Sequence, residues 1–261
     1  MKIVRVELVN KGEIFHGILG PNTVRRIRGD IFNEHIITDD EYNLAALKIL
    51  APLNPVNILA IGLNYKKHAQ ETGKETPKKP VIFFKATSSV MGPNEKIVLP
   101  KEHPDEVDFE AELAIIIGKE AKNVEPDQAY QYVYGYTCGN DITARDCQNK
   151  LDIQWARAKS FDTFCPLGPW IETDLNPDDL SIKSKLNNNV MQDSRTSDMI
   201  FSPSCLISYC SKNMTLLPGT VIMTGTPAGV GTARNPKVYL NSGDIIEIEI
   251  EGIGVLKNTV K

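Results

Sequence analysis

The segment Pro104-Asp-Glu-Val-Asp-Phe-Glu-Ala-Glu-Leu113 carries carboxylates at alternate positions, Asp108, Glu110 and Glu112. On a β-strand alternate residues share a face, so these acids point one way while Val107, Phe109, Ala111 and Leu113 point toward a core. Like charges in a row on one sheet face repel one another. A bound divalent cation turns that repulsion into attraction. A solvated acidic face is the plainer reading of an E-x-E pattern. The run Leu113-Ala-Ile-Ile-Ile117 argues against it, because it marks a buried strand in which unpaired carboxylates are costly. A further acid, Asp141, closes the next strand-like run, Tyr132-Val-Tyr-Gly-Tyr-Thr-Cys-Gly-Asn-Asp141. If the two strands lie side by side, Asp141 joins Glu110 and Glu112. An all-carboxylate set selects Mg²⁺, Mn²⁺ or Ca²⁺ over Zn²⁺, which takes Cys and His.

The elements that must position these acids are mostly strands. Residues 1–53 read as a small α+β module, with strands at Ile3–Leu8, Glu13–Leu19 and Thr23–Ile27 and a helical pattern from about Asp40 to Leu50. Pro52-Leu-Asn-Pro55 then breaks the chain. Residues 54–261 read as the larger, mainly β domain, which carries these acids. Strand-like runs occur at Asn57–Ile61, Val81–Phe84, Lys96–Leu99, Val107–Ile117, Tyr132–Thr137, Val221–Thr224, Ile245–Ile250 and Val255–Val260. Helices are expected only at Tyr65–Glu71, Thr143–Lys150 and Pro203–Lys212. So few helices argue against a doubly wound parallel fold. The expected class is mainly β (α+β), a mixed β-roll or barrel-like core with helices at its edges.

Bulk properties narrow the partners. The 261 residues carry a formal charge of −4 and no basic stripe, which excludes nucleic acid as a natural partner. An acidic protein that handles acidic substrates must supply local positive charge, from a metal or a few Lys and Arg. The N-terminus alternates apolar and polar residues like a strand, not a signal peptide, and no apolar run is long enough to span a membrane. Five cysteines without a C-x-x-C pair suit a reduced, cytoplasmic chain. Asn213-Met-Thr fits a glycosylation sequon, which without a secretion signal is read as chance.

Five segments together resemble the fumarylacetoacetate hydrolase family. They are Asn64-Tyr-Lys-Lys-His-Ala-Gln-Glu71, Val107-Asp-Phe-Glu-Ala-Glu-Leu-Ala114, Gly139-Asn-Asp-Ile-Thr-Ala-Arg-Asp-Cys-Gln148, Lys159-Ser-Phe-Asp-Thr-Phe-Cys-Pro-Leu-Gly-Pro169 and Thr224-Gly-Thr-Pro-Ala-Gly-Val-Gly231. They span the chain in order from about Ile58 to its end. The resemblance implies the family's β-roll-like fold, a homodimer or higher homo-oligomer, and one Mg²⁺ or Mn²⁺ per subunit. It implies Glu110, Glu112 and Asp141 as the metal ligands, with Asp108 in a supporting role.

The resemblance also implies a catalytic pair, His68 and Glu71, on a short helix that orders over substrate. Their i, i+3 spacing puts both on one helical face. Imidazole titrates near neutral pH and can take a proton, while the carboxylate orients it. Lys159 matches the family's active-site lysine, able to hold a developing oxyanion. Lys85, Arg145, Gln148 and Thr226 correspond to substrate-binding positions. The proline usual after the first of these is Ala86 here, which leaves the local backbone open. The layout resembles the branch of 2-hydroxyhepta-2,4-diene-1,7-dioate isomerases, acylpyruvases and oxaloacetate decarboxylases. In that branch Arg195 could meet a distal carboxylate, and a surface role fits it equally.

The chemistry implied is that of small 2-oxo or 2,4-dioxo acids, whose adjacent carboxylate and keto oxygens chelate one hard cation. The cation stabilises the enolate formed when a C3 bond breaks or loses a proton. C–C hydrolysis of acylpyruvates or decarboxylation of oxaloacetate-like acids leads the expectation, with isomerisation as the alternative. A non-catalytic metal-binding scaffold is the rival of another class, and the intact His68, Glu71 and Lys159 argue against it. A phosphate loop at Gly225–Gly231 is rejected, since it lacks the Lys-Ser/Thr and contains Pro227.

Overall fold

The Ala111–Ile117 strand is buried at every position, and the rest of the molecule is arranged around it. In the computed structural model, which describes residues 1–261, it lies antiparallel between Val133–Asn140 and Val221–Met223. These belong to one large sheet with the order His35–Asn43, Thr23–Gly29, Glu13–Leu19, Lys2–Leu8, Cys165–Glu172, Val133–Asn140, Ala111–Ile117, Val221–Met223, Ile58–Gly62, Val81–Phe84. Its first and last strands are opposite edges, so the sheet does not close into a barrel.

A second sheet runs Asn189–Arg195, Ser181–Leu186, Ile245–Ile250, Gly254–Val260, Lys96–Ile97. Leu113, Ile115 and Ile117 pack with Ile182, Ile246 and Ile248 of this sheet in the main core. Ala114 and Ile116 face the other way, into a cluster with Ile58, Val221 and Ile3. Serving two cores explains why the strand reads as a continuous apolar run. Truncating Leu113 or Ile115 to Ala would destabilise the fold by about 2–5 kcal/mol.

Three expectations are corrected. The helix expected over Asp40–Leu50 is instead the strand His35–Asn43, a single turn at Leu44–Ala46 and the strand Leu47–Ile49. Asn43 caps that turn by accepting from the Ala45 N–H at 2.9 Å, and Leu47 then packs against Val4, Val6 and Phe15. Burial beside neighbouring strands overrides the local helical spacing. Residues 1–53 therefore hold no α-helix, and their strands continue the large sheet through the pairs Lys2–Glu172 and Ile3–Ile171.

The helix expected over Thr143–Lys150 is a two-residue strand, Thr143–Ala144, followed by a wide π-type turn at Cys147–Leu151. Thr143–Ala144 is drawn into pairing with Val107–Asp108. The same pairing breaks the expected long strand at Phe109–Glu110, so Asp108 does not share the face of Glu112.

Helix α1 (Lys66–Glu71) and helix α2 (Pro203–Asn213) form where expected. Ser202 caps α2, with Pro203 at its first turn. All five cysteines are free, and no helix is long and apolar enough to cross a membrane.

Candidate active site

Register brings the acids together. Glu112 pairs with Gly139 and Ala111 with Asn140, so Asp141 lies just past the neighbouring strand, beside Glu110. The Asp141 N–H donates to the Glu110 carbonyl at 2.9 Å, and the Glu110 N–H donates to Asn140 Oδ1 at 3.0 Å. The carboxylates of Glu110, Glu112 and Asp141 then offer oxygens within 4.8 Å of one another, and all three residues are buried.

Buried cations answer two of these acids. Lys159 Nζ donates to Glu110 Oε2 at 2.7 Å and to Asp141 Oδ2 at 2.6 Å. Lys85 Nζ donates to Asp141 Oδ1 at 2.5 Å and to the Lys159 carbonyl. Arg145 donates from Nε to Asp108 Oδ2 at 2.9 Å, and its Nη2 lies 2.7 Å from Glu110 Oε1, an ion pair bent away from hydrogen-bond geometry. Burial pushes the Glu110 carboxyl up, but the charges of Lys159, Arg145 and His68 outweigh it and hold the group below the usual range. Burial likewise opposes the Lys159 ammonium, and Asp141 and Glu110 outweigh it.

Glu112 is different. Its partner is a backbone N–H, that of Gly225 at 2.8 Å, and it forms no ion pair. Burial, then Asp141 and Glu110, push its carboxyl well above the ordinary range. Three converging carboxylates, one of them without a cationic partner, fit a hard divalent cation. Glu110, Glu112 and Asp141 are the residues that could hold it. Gly225 approaches so closely because it has φ +97°, and a Cβ there would lie 2.7 Å from Asn64 Cβ.

His68 and Glu71 lie on α1. His68 Nδ1 is 2.7 Å from Glu71 Oε1, and Glu71 Oε2 accepts from the Gly229 N–H at 2.9 Å. Asn64, just before the helix, donates to the Thr224 carbonyl at 2.7 Å and accepts from the Phe201 N–H at 2.9 Å. The helix is thus tied to the Thr224–Gly231 loop at both ends.

A cleft of about 410 Å³ joins these groups. His68, Glu71, Glu110, Glu112, Asp141, Arg145, Gln148, Lys159 and Thr226 all line it. Lys85 does not: it sits behind Asp141 with its side chain fully buried. Arg195 is also absent, being half-exposed and paired with Asp179 at 2.6 Å. No residue of 1–53 lines the cleft.

Sequence reading missed several contributors. Phe83, Trp155, Lys74 and Thr232 line the cleft from loops and strand ends with no motif of their own. Asp108 is a hub, accepting from the N–H groups of Gly231 at 2.8 Å and Thr232 at 2.9 Å as well as from Arg145. Gln192 accepts from the Ala111 N–H at 2.9 Å and donates to Thr226 Oγ1 at 2.7 Å, which fixes that hydroxyl. Asp108 is expected from its segment only in a supporting role, and no local pattern singles out Gln192.

His103, Asp146 and Cys147 form a second group of close donors. The Arg157 guanidinium 3.4 Å from His103 Nε2 opposes a cation there, and burial and Asp146 push the Cys147 thiol up to about 11.

Both parts of the chain resemble known proteins. Residues 1–52 match a family described as Rv2993c-like, N-terminal, and residues 57–261 match one described as Fumarylacetoacetate (FAA) hydrolase C-terminal. A fumarylacetoacetate hydrolase domain-containing protein 2 homolog of Dictyostelium discoideum is 49% identical over 227 residues, covering 82% of this chain and 74% of its own. A mitochondrial oxaloacetate tautomerase of Xenopus laevis is 44% identical over 233 residues, 87% of this chain and 71% of its own. The crystal structure of a 5-carboxymethyl-2-hydroxymuconate delta-isomerase from Mycobacterium smegmatis superposes with a TM-score of 0.90 at 40% identity, over 100% of this chain and 99% of that one. With most of its length matched by the family and its whole backbone superposing on a solved relative, the chain belongs to the fumarylacetoacetate hydrolase family of enzymes.

Proposed function

We propose that this enzyme moves a proton at C3 of small 2-oxo acids, interconverting keto and enol forms, with Mg²⁺ or Mn²⁺ held by Glu110, Glu112 and Asp141. The observation that carries the reading is Glu112, a buried carboxylate beside two others with no cationic partner, facing the same cleft as the His68–Glu71 pair. A cation held there would supply Lewis acidity toward the adjacent carboxylate and keto oxygens of such an acid.

The chain's own residues supply the rest. Lys159 puts an ammonium at the floor of the cleft, where negative charge develops on the keto oxygen. His68 accepts the C3 proton, leaving the enolate, and a proton delivered to the keto oxygen completes the enol; the reverse order regenerates the keto form. Glu71, held by the Gly229 N–H, fixes the imidazole by accepting a hydrogen bond from Nδ1–H and leaves Nε2 for the substrate. Arg145 and Gln148, joined by a 2.8 Å hydrogen bond, and the Thr226 hydroxyl offer donors to a carboxylate. Relatives at 44% identity called oxaloacetate tautomerases favour proton transfer as the primary outcome.

A second reading is C–C hydrolysis of acylpyruvates. The same His68–Glu71 pair suits activation of a water beside the carboxylate cluster. Both are tested by following enol-oxaloacetate decay and C3 hydrogen–deuterium exchange, then acylpyruvate cleavage, with Mg²⁺ or Mn²⁺ and after EDTA. Metal-dependent exchange without cleavage supports tautomerisation. Absence of turnover on every 2-oxo acid, with the cation bound, would sink the enzymatic reading in favour of a scaffold.

A further inference from the structure

The cleft has two ends of different character. Lys159 stands at its buried floor, with its Nζ 5.4 Å from the Phe83 ring centroid. Phe83 meets Trp155 edge-on, with ring centroids 5.6 Å apart. Trp155 in turn carries the Lys74 ammonium 5.7 Å from its ring centroid, at the exposed mouth. Two ammonium groups therefore flank an aromatic wall, and all four side chains line one cleft.

Their charges are not equally available. Lys159 is neutralised by Glu110 and Asp141, and Arg145 by Asp108 and Glu110. Lys74 lines the same cleft and forms no ion pair, since Glu71 is engaged by His68 and Gly229. Lys74 is also held in place by its backbone. Gly73 turns with φ +66°, and the Lys74 N–H donates to the Ala69 carbonyl at 3.0 Å, folding the residue back over the helix that bears His68.

We infer that Lys74 receives the distal carboxylate of a 2-oxo dicarboxylate whose apolar or unsaturated middle lies along Phe83 and Trp155. The inference rests on the 2-oxo acid reading of the cleft floor and adds the far end of the substrate. Flat apolar walls favour a planar hydrocarbon segment, and an unpaired ammonium at the mouth favours a second anion. A four-carbon diacid has little middle to lie on the wall, so acids longer than oxaloacetate gain most.

The test is calorimetric binding to the Mg²⁺-loaded protein of 2-oxohexanedioate and of 2-oxohexanoate, which share the 2-oxo acid end and differ in the distal carboxylate. The diacid is expected to bind about fivefold more tightly, the scale of one ion pair at a partly exposed site. Lys74→Met should erase that preference, Lys74→Arg should keep it, and raising the ionic strength should shrink it. Equal affinities of the wild type for the two acids, or a preference unchanged in Lys74→Met, would overturn the role of Lys74 while leaving the 2-oxo acid reading intact. Binding of neither acid, with Mg²⁺ bound, would overturn that reading and this inference with it.

Discussion

Glu71 holds His68 Nδ1 with one carboxylate oxygen at 2.7 Å and the backbone N–H of Gly229 with the other at 2.9 Å. The imidazole is therefore oriented by a side chain that is itself anchored to the backbone of the Thr224–Gly231 loop. Glu71→Gln keeps the shape but loses the anionic acceptor, and turnover should fall by about tenfold to a hundredfold. His68→Ala should fall by about 10²–10⁴-fold with Mg²⁺ affinity retained. Steady-state rates and metal titration of both variants check this, and wild-type turnover in His68→Ala would remove the pair from the mechanism.

Stripping divalent cations should abolish activity, and Mg²⁺ or Mn²⁺ should restore it. Glu112→Gln should weaken cation affinity by at least about tenfold, since it removes the ligand without a competing ammonium. The variant should nonetheless fold, because its amide can still accept from the Gly225 N–H. Unaltered Mg²⁺ affinity in Glu112→Gln would place the cation elsewhere.

The raised pKa of Glu112 has a sign that can be measured. A carboxyl raised on folding stabilises the metal-free protein in its protonated form. That contribution is complete below the ordinary glutamate pKa and is lost as pH rises through the raised value. Cation binding needs the ionised form, so Mg²⁺ affinity should climb over the same window, by up to about tenfold per pH unit, with up to one proton released. Calorimetry in buffers of different ionisation enthalpy counts the proton. A pH-independent affinity would contradict this assignment.

Asp108 should matter as much for stability as for activity. Asp108→Ala leaves the N–H groups of Gly231 and Thr232 without their acceptor and strips Arg145 of one of its two carboxylates. A loss of about 3–5 kcal/mol is expected, the scale for breaking a buried ion pair. Denaturant unfolding checks it, and a change below about 1 kcal/mol would mean the loop is held by other contacts.

Lys85 should behave as a support for Asp141, not as a substrate contact. It is buried behind the carboxylate and donates to the Lys159 carbonyl. Lys85→Met should lower stability and cation affinity while the KM of the residual activity, measured at saturating Mg²⁺, changes by less than about threefold. A large KM effect with unchanged stability would put Lys85 in contact with substrate after all.

Periodicity in the chain determined a good deal on its own. The apolar run Leu113–Ile117 marked the buried strand, the E-x-E spacing kept Glu110 near Glu112, and the i, i+3 spacing put His68 beside Glu71, because each is set within a few residues of chain. Only the tertiary structure decided the rest. It turned Asp108 away by pairing Val107–Asp108 with Thr143–Ala144, sent Lys85 behind Asp141 and Arg195 out to Asp179, and replaced the helix expected over Asp40–Leu50 with strands. It also brought Trp155 and Lys74 to the mouth of the cleft. These outcomes depend on pairing between segments distant in the chain, where burial against a neighbouring strand outweighs any local preference.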